Sequence, residues 1–269
     1  MKANNGGKKM QYDAIILAGG ESSSDLKKIA PYDNEALIII GNYPMIYYVY
    51  KALRSSSQIN TIVISGPVES IKSILPRDER LIFVNGGENA IESFAHAVKA
   101  MDNKGISSKV LIMPTDIPFI TKEAIEDFLK RCETSDDDFY YPVTRKEVNE
   151  KKFPGVQRTY VRLREGTVTG GNLFLIRSAV IDKSLEMGLK LVERRKNPLA
   201  MARLFGFSLA VKYVFGKLSI DMAEERFYKI LGIKGKGIIS PYAEIGVDVD
   251  KPSDLELAQD KLGSICFAK

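Results

Sequence analysis

The sequence predicts an α/β fold: a mostly parallel (mixed) central sheet flanked by helices, with a helical insertion in the second half of the chain. Short apolar runs of strand length recur at residues 14–17, 61–65, 81–85, 110–113, 139–143 and 173–176. Helical stretches at 44–54, 90–101 and 122–131 fall between them. The first and fourth runs end in glycine or proline turns. Alternation at this spacing means βαβ units, a mostly parallel sheet and right-handed crossovers. Residues 11–265 read as a single domain behind a polar tail, 1–10, with no secretory pattern, and 178–236 form the insertion.

The first run, Ala14-Ile15-Ile16-Leu17, feeds Ala18-Gly19-Gly20. Glycines after a parallel strand let backbone N–H groups approach a phosphate with no Cβ in the way. Open α/β sheets put their ligands at this carboxyl end. A polar stretch at 21–25 follows, then Lys27 and Lys28, which could add positive charge. Taken alone, the segment reads equally as a tight turn. It lacks the closing Gly-Lys-Ser/Thr of a Walker A loop and the third glycine of the dinucleotide fingerprint.

The fourth run ends in Pro114-Thr115-Asp116-Ile117-Pro118. Two prolines fix φ and deny ladder bonds, so Asp116 is held just past a strand end. A helix follows, capped by Thr121 with Glu123 in support. A carboxylate facing a phosphate loop suits Mg²⁺, which takes one or two protein carboxylates plus phosphate oxygens and water. A third segment, Gly246-Val247-Asp248-Val249-Asp250-Lys251-Pro252, sets two aspartates two apart on an extended stretch, pointing the same way. Asp250 is expected at a strand end, with Asp248 two residues inside. A helix then starts at Pro252, with Asp254 near its first turn.

In order and spacing these segments resemble the nucleotidyltransferases of glycosyltransferase-A-like fold. That group includes molybdenum-cofactor guanylyltransferases, methylerythritol-phosphate cytidylyltransferases and sugar-phosphate nucleotidyltransferases. Leu17, Ala18, Gly19 and Gly20 match the family's opening Leu-Ala-(Ala/Gly)-Gly. Asp116-Ile117-Pro118 matches its first metal aspartate, and Asp250 before the Pro252 helix matches its second. Asn85-Gly86-Gly87 with Ser93 is similar to the base-side Gly-Gly and Ser. Gly41-Asn42-Tyr43-Pro44-Met45-Ile46 is similar to the Gly-x-Pro-(Leu/Met)-Ile that opens the first long helix.

The resemblance implies a nucleoside triphosphate held by Leu17–Gly20 and bordered by Gly86, Gly87 and Ser93. It implies Mg²⁺ (or Mn²⁺) on Asp116 and Asp250, with Asp248 nearby, and transfer of a nucleoside monophosphate to a small acceptor. Two departures stand out. Ser24 lies near the family's loop Arg, and Asn34-Glu35-Ala36-Leu37 stands where Pro-Lys-x-Leu is usual. Lys27 and Lys28 are the nearest replacement cations and are assigned the catalytic charge with Asp116.

The segment 151–162 is basic and aromatic, with a Pro154-Gly155 turn, and Gly170-Gly171-Asn172 leads into the next strand. The resemblance places the acceptor on this side, so Lys152, Arg158 and Arg162 are expected to hold an anionic acceptor beside Gly170, Gly171 and Asn172. The stretch reads also as a solvated basic hairpin. The insertion reads as an amphipathic helix at 184–194, a second from 197, and an apolar stretch at 205–218. Burial in the chain or in a homodimer is its stronger reading, and contact with a membrane surface the weaker.

Composition bounds the remaining classes. Apolar residues make up 45% and charged residues 27%, the ordinary globular mix. No apolar run approaches the roughly 20 residues of a membrane span. Cys132 and Cys266 lack metal spacing, so reduced thiols and a cytoplasmic setting are expected. The single histidine, His96, falls inside a helical pattern after Phe94 and reads as a packed or surface helix residue, not as the base of a Ser–His or Cys–His pair. A net charge of +5 suits an anionic small substrate. No aromatic-and-basic stripe points to nucleic acid. The rival readings are a glycosyltransferase using a nucleotide sugar, suggested by Asp248-Val249-Asp250, and a non-catalytic nucleotide-binding homologue.

Overall fold

The computed structural model describes residues 10–101, 105–194 and 217–267. The helix expected from 197 and most of the apolar stretch 205–218 lie outside the described residues.

Eleven strands and nine helices follow in chain order among these residues. They are β1 (Tyr12–Leu17), α1 (Ser24–Ile29), β2 (Ile39–Ile40), β3 (Tyr43–Pro44), α2 (Met45–Ser55), β4 (Ile59–Gly66), α3 (Val68–Ile74), β5 (Leu81–Asn85), α4 (Ala90–Met101), β6 (Lys109–Pro114) and α5 (Lys122–Cys132). Then come β7 (Phe139–Arg145), α6 (Lys146–Lys152), β8 (Val161–Leu163), β9 (Gly166–Gly170), β10 (Phe174–Arg177), α7 (Ile181–Arg194), α8 (Ile220–Leu231), β11 (Gly235–Ser240) and α9 (Pro252–Leu262).

The main sheet runs β5-β4-β1-β6-β10-β7-β9-β8, and β11 also pairs with β7. The β5-β4-β1-β6 half is parallel, β10 is antiparallel to β6 and β7, and β11 is parallel to β7. The expected mixed, mostly parallel sheet flanked by helices is therefore present.

Continuous apolar strands form because both faces are covered. Ala14 and Ile16 of β1, with Ile62 and Ile64 of β4, pack with Ile46, Val49, Ile125 and Phe128 of α2 and α5. Ile15 and Val63, one residue out of phase, pack with Phe94 and Ala97 of α4. The period of two sends neighbouring side chains to opposite cores.

Register decides what meets at the carboxyl edge. Leu17 lies opposite Pro114 on one side and Ser65 on the other. Gly66 lies opposite Asn85. The turns 18–20, 86–87 and 115–116 thus leave the sheet side by side. Because β10 is antiparallel to β6, its beginning, just after Asn172, falls at the same edge.

Some expectations need correction. No strand covers 247–250: a 3-10 turn at Ala243–Gly246 leads into extended backbone outside the sheet, so Asp250 does not end a strand. The segment 151–162 is not a hairpin of its own. It begins in α6, turns at Gly155, whose φ of +84° suits glycine, and enters β8, which pairs with β9. The region 178–236 holds α7, a 3-10 turn and α8, and its last two residues already belong to β11.

Candidate active site

The glycine loop is held open by its neighbours. Asn34 donates its side-chain amide to the Ala18 carbonyl at 2.9 Å, and Glu35 donates its backbone N–H to the Gly20 carbonyl at 3.1 Å. Ser23 caps α1 by accepting the Leu26 N–H at 3.2 Å, and its hydroxyl donates to the Asp250 carbonyl at 3.1 Å. The loop is therefore tied to the Asp250 segment, far away in sequence. A Cβ on Gly66 would lie 2.6 Å from the Ala18 carbonyl oxygen, so the β1 turn can sit against β4 only because residue 66 is glycine. Gly66 escaped the sequence reading.

Ser93, on α4, joins the two glycine turns. Its hydroxyl accepts the Gly87 N–H at 3.0 Å, and a Cβ on Gly86 or Gly19 would lie 3.3 or 3.7 Å from it. Gly19, Gly86, Gly87 and Ser93 are thus one neighbourhood.

The carboxylates converge. Asp116, Asp248 and Asp250 each bring a ligand oxygen within 4.8 Å of the others. Alternation explains it. Val247 and Val249 are fully buried in a core with Phe119, Phe153 and Leu255, which turns the intervening aspartates outward. The Val249 N–H donates to the Asp116 carbonyl at 2.8 Å. Asp254, at the start of α9, accepts the backbone N–H groups of Asp250 and Lys251, each at 3.3 Å.

Arg158 is the one cation paired with these three acids among the described residues. One carboxylate oxygen of Asp116 is buried without a hydrogen-bond partner. Burial, with the charges of Glu35 and Asp250, pushes the Asp116 carboxyl up to about 7, while Arg158 pulls the other way. Burial and Asp250 push Glu35 to about 7. Arg158 forms an ion pair with Asp248. An orphaned buried oxygen and three converging carboxylates fit a hard divalent cation with oxygen ligands, as Mg²⁺ or Mn²⁺ requires.

The remaining candidates are placed differently. Lys27 pairs with Asp33 at 2.9 Å and Lys28 with Asp25 at 2.7 Å, both with exposed side chains on α1. Lys152 is engaged by the buried Glu244. Arg162 is exposed on β8. On its Cβ side Gly170 meets the Tyr141 hydroxyl, and Gly171 meets Ile245 and Pro142, so protein fills the space where a ligand was expected. The Asn172 side-chain amide nitrogen is buried without a partner. A cavity of about 360 Å³ is lined by Gln157, Lys251, Ser253, Asp254 and the apolar Pro154, Val156 and Leu257. Sequence reasoning missed Glu35 as a site residue. Its signal was an acid at a position where the resemblance calls for lysine.

An α/β sheet thus sets a glycine loop and three converging carboxylates at its carboxyl edge. The chain belongs to the MobA-like NTP transferase domain family, whose model matches residues 14–203. A hypothetical transferase from Thermus thermophilus superposes with a TM-score of 0.79 at 34% identity, covering 91% of this chain and 100% of that one. The 2-C-methyl-D-erythritol 4-phosphate cytidylyltransferase of Francisella tularensis gives a TM-score of 0.59 at 13% identity, over 94% and 100% of the two chains. CMP:2-keto-3-deoxy-manno-octonic acid synthetase, complexed with CTP, gives 0.56 at 13%, over 93% and 97%. At such identities the last two speak for the fold alone, and it is the glycosyltransferase-A-like nucleotidyltransferase fold. No protein of curated function matches the chain in sequence. Among the described residues, no helix is long and apolar enough to cross a membrane.

Proposed function

We propose that the chain transfers a nucleoside monophosphate from a nucleoside triphosphate to a small phosphorylated or hydroxylated acceptor and releases pyrophosphate. The observation that carries this is the meeting of Asp116, Asp248 and Asp250 within 4.8 Å on the sheet edge that also carries the Ala18–Gly20 loop. An acceptor oxygen attacks the α-phosphorus, an O–P bond forms, and the bond to the β-phosphate oxygen breaks. The protein's work is alignment and charge stabilisation. Backbone N–H groups of Ala18–Gly20 hold the phosphates, and Gly86, Gly87 and Ser93 border the base. Asp116, Asp248 and Asp250 would hold Mg²⁺, which neutralises and orients phosphate oxygens when bound. A phosphate acceptor is already ionised at neutral pH, so no histidine base is required.

The acceptor is assigned to the cavity that Gln157 and Lys251 line, the residues next in sequence to Arg158 and Asp250. Arg158, paired with Asp248, is a further cation for the anionic acceptor. Lys27 and Lys28 reach the triphosphate by leaving Asp33 and Asp25, exposed pairs that cost little to open.

Pyrophosphate release over the four triphosphates, with phosphorylated metabolite pools and with or without Mg²⁺, tests the reading. Mg²⁺-dependent release with one triphosphate is expected. No release and no triphosphate binding would overturn it. A non-catalytic nucleotide-binding role is the second reading, favoured by the acid at Glu35, and triphosphate binding without turnover would select it.

A further inference from the structure

Glu35 lies against the phosphate loop itself. One of its carboxylate oxygens stands 2.6 Å from the point where a Cβ on Gly20 would be. Its backbone is fixed there by the bond to the Gly20 carbonyl, and Asn34 beside it is fixed to Ala18. Its carboxyl feels burial and the charge of Asp250. The charges of Glu35, Asp116 and Asp250 act on one another, and Asp116 has a buried, unpartnered oxygen. When Glu35 is ionised, the loop thus faces an anion of the protein's own where a triphosphate would bring several more.

We propose that Glu35 bars a triphosphate from the Ala18–Gly20 loop until a divalent cation is held by Asp116, Asp248 and Asp250, so that cation and nucleotide bind in that order. The inference rests on the nucleotidyl-transfer reading and adds a rule of order to it. A partly desolvated carboxylate repels a phosphate charge a few ångströms away strongly enough to cost about tenfold or more in affinity. The same carboxylate, as a fourth negative charge near the cluster, tightens the cation.

Calorimetric titration of metal-free protein decides it, first with Mn²⁺ alone and then with each nucleoside triphosphate in EDTA or in Mn²⁺. The parent protein is expected to bind Mn²⁺ without nucleotide and to bind no triphosphate in EDTA. Glu35→Gln, close in shape, should hold or raise the thermal midpoint, lose about tenfold or more in Mn²⁺ affinity, and gain triphosphate binding in EDTA. Glu35→Lys should gain more. Equal triphosphate affinity for the parent in EDTA and in Mn²⁺, or unchanged Mn²⁺ affinity in Glu35→Gln, overturns the order while leaving transfer standing. Absence of triphosphate binding from all three proteins even with Mn²⁺ overturns the transfer reading and the order with it.

Discussion

Val249 donates its backbone N–H to the carbonyl of Asp116 at 2.8 Å, across 133 positions of sequence (249 − 116). This bond fastens the extended 247–250 segment to the β6 turn. The buried Val247 and Val249 side chains complete the fastening, and Asp248 and Asp250 meet Asp116 as a result.

Val249→Ala keeps that backbone bond and removes the anchor. Burial of a valine side chain is worth roughly 1.5–3 kcal/mol, so stability should fall by about that much in urea titration. Mn²⁺ affinity should fall with it, because the two aspartates lose their common support. Loss of stability with unchanged Mn²⁺ affinity would show that Asp116 alone sets the cation site.

Asp116→Asn leaves the carbonyl bond intact and replaces a buried carboxylate oxygen that has no partner. The thermal midpoint should hold or rise at pH 8. Mn²⁺ affinity and cation-dependent triphosphate binding should drop tenfold or more.

The raised Asp116 and Glu35 carboxyls set the sign of a pH effect. Both titrate near 7 in the folded protein and near 4 when unfolded. Between those values the folded chain binds more protons than the unfolded one, so metal-free stability falls as pH rises from about 4 to about 7. The thermal midpoint in EDTA should therefore be lower at pH 8 than at pH 5.5 by these groups' contribution. Mg²⁺ should raise it at pH 8 and do little at pH 5.5, and Asp116→Asn should flatten the difference.

Two glycines separate packing from binding. In Gly66→Ala the new Cβ would meet the Ala18 carbonyl at 2.6 Å, a backbone atom that cannot swing away. A cost of about 1–3 kcal/mol is expected. In Gly20→Val the Cβ meets the flexible end of Glu35, so the midpoint should move little while triphosphate binding is lost.

Lys27→Ala with Lys28→Ala should leave stability within about 0.5 kcal/mol, since the pairs removed are exposed. A charge-assisted contact to phosphate is worth roughly 1.5–3 kcal/mol, so triphosphate affinity should fall about 10- to 150-fold. Nucleoside binding should be spared. Unchanged triphosphate affinity would assign the charge to Arg158 or Lys251 instead.

What the sequence made legible was local. The apolar run of β1, the helix at 90–101 and the capped start at Thr121 follow from periodicity and caps, and the structure has them. The three-residue β8 carries too little pattern to read, and β11 is glycine-rich. The segment 247–250 alternates like a strand because Val247 and Val249 are buried, yet its partner is a loop, so no ladder forms. Gly66 and Glu35 were hidden for the same reason: each matters through contact with the 18–20 turn, which only the register of β1 and β4 and the bonds of residues 34 and 35 create.

Crystals grown with Mn²⁺ and a non-hydrolysable nucleoside triphosphate would test the central claim most directly, through the anomalous signal of the ion. The expected result is a Mn²⁺ peak between Asp116 and Asp250, with the triphosphate lying along the Ala18–Gly20 backbone. A nucleotide bound elsewhere, or an ion away from these carboxylates, would contradict the account.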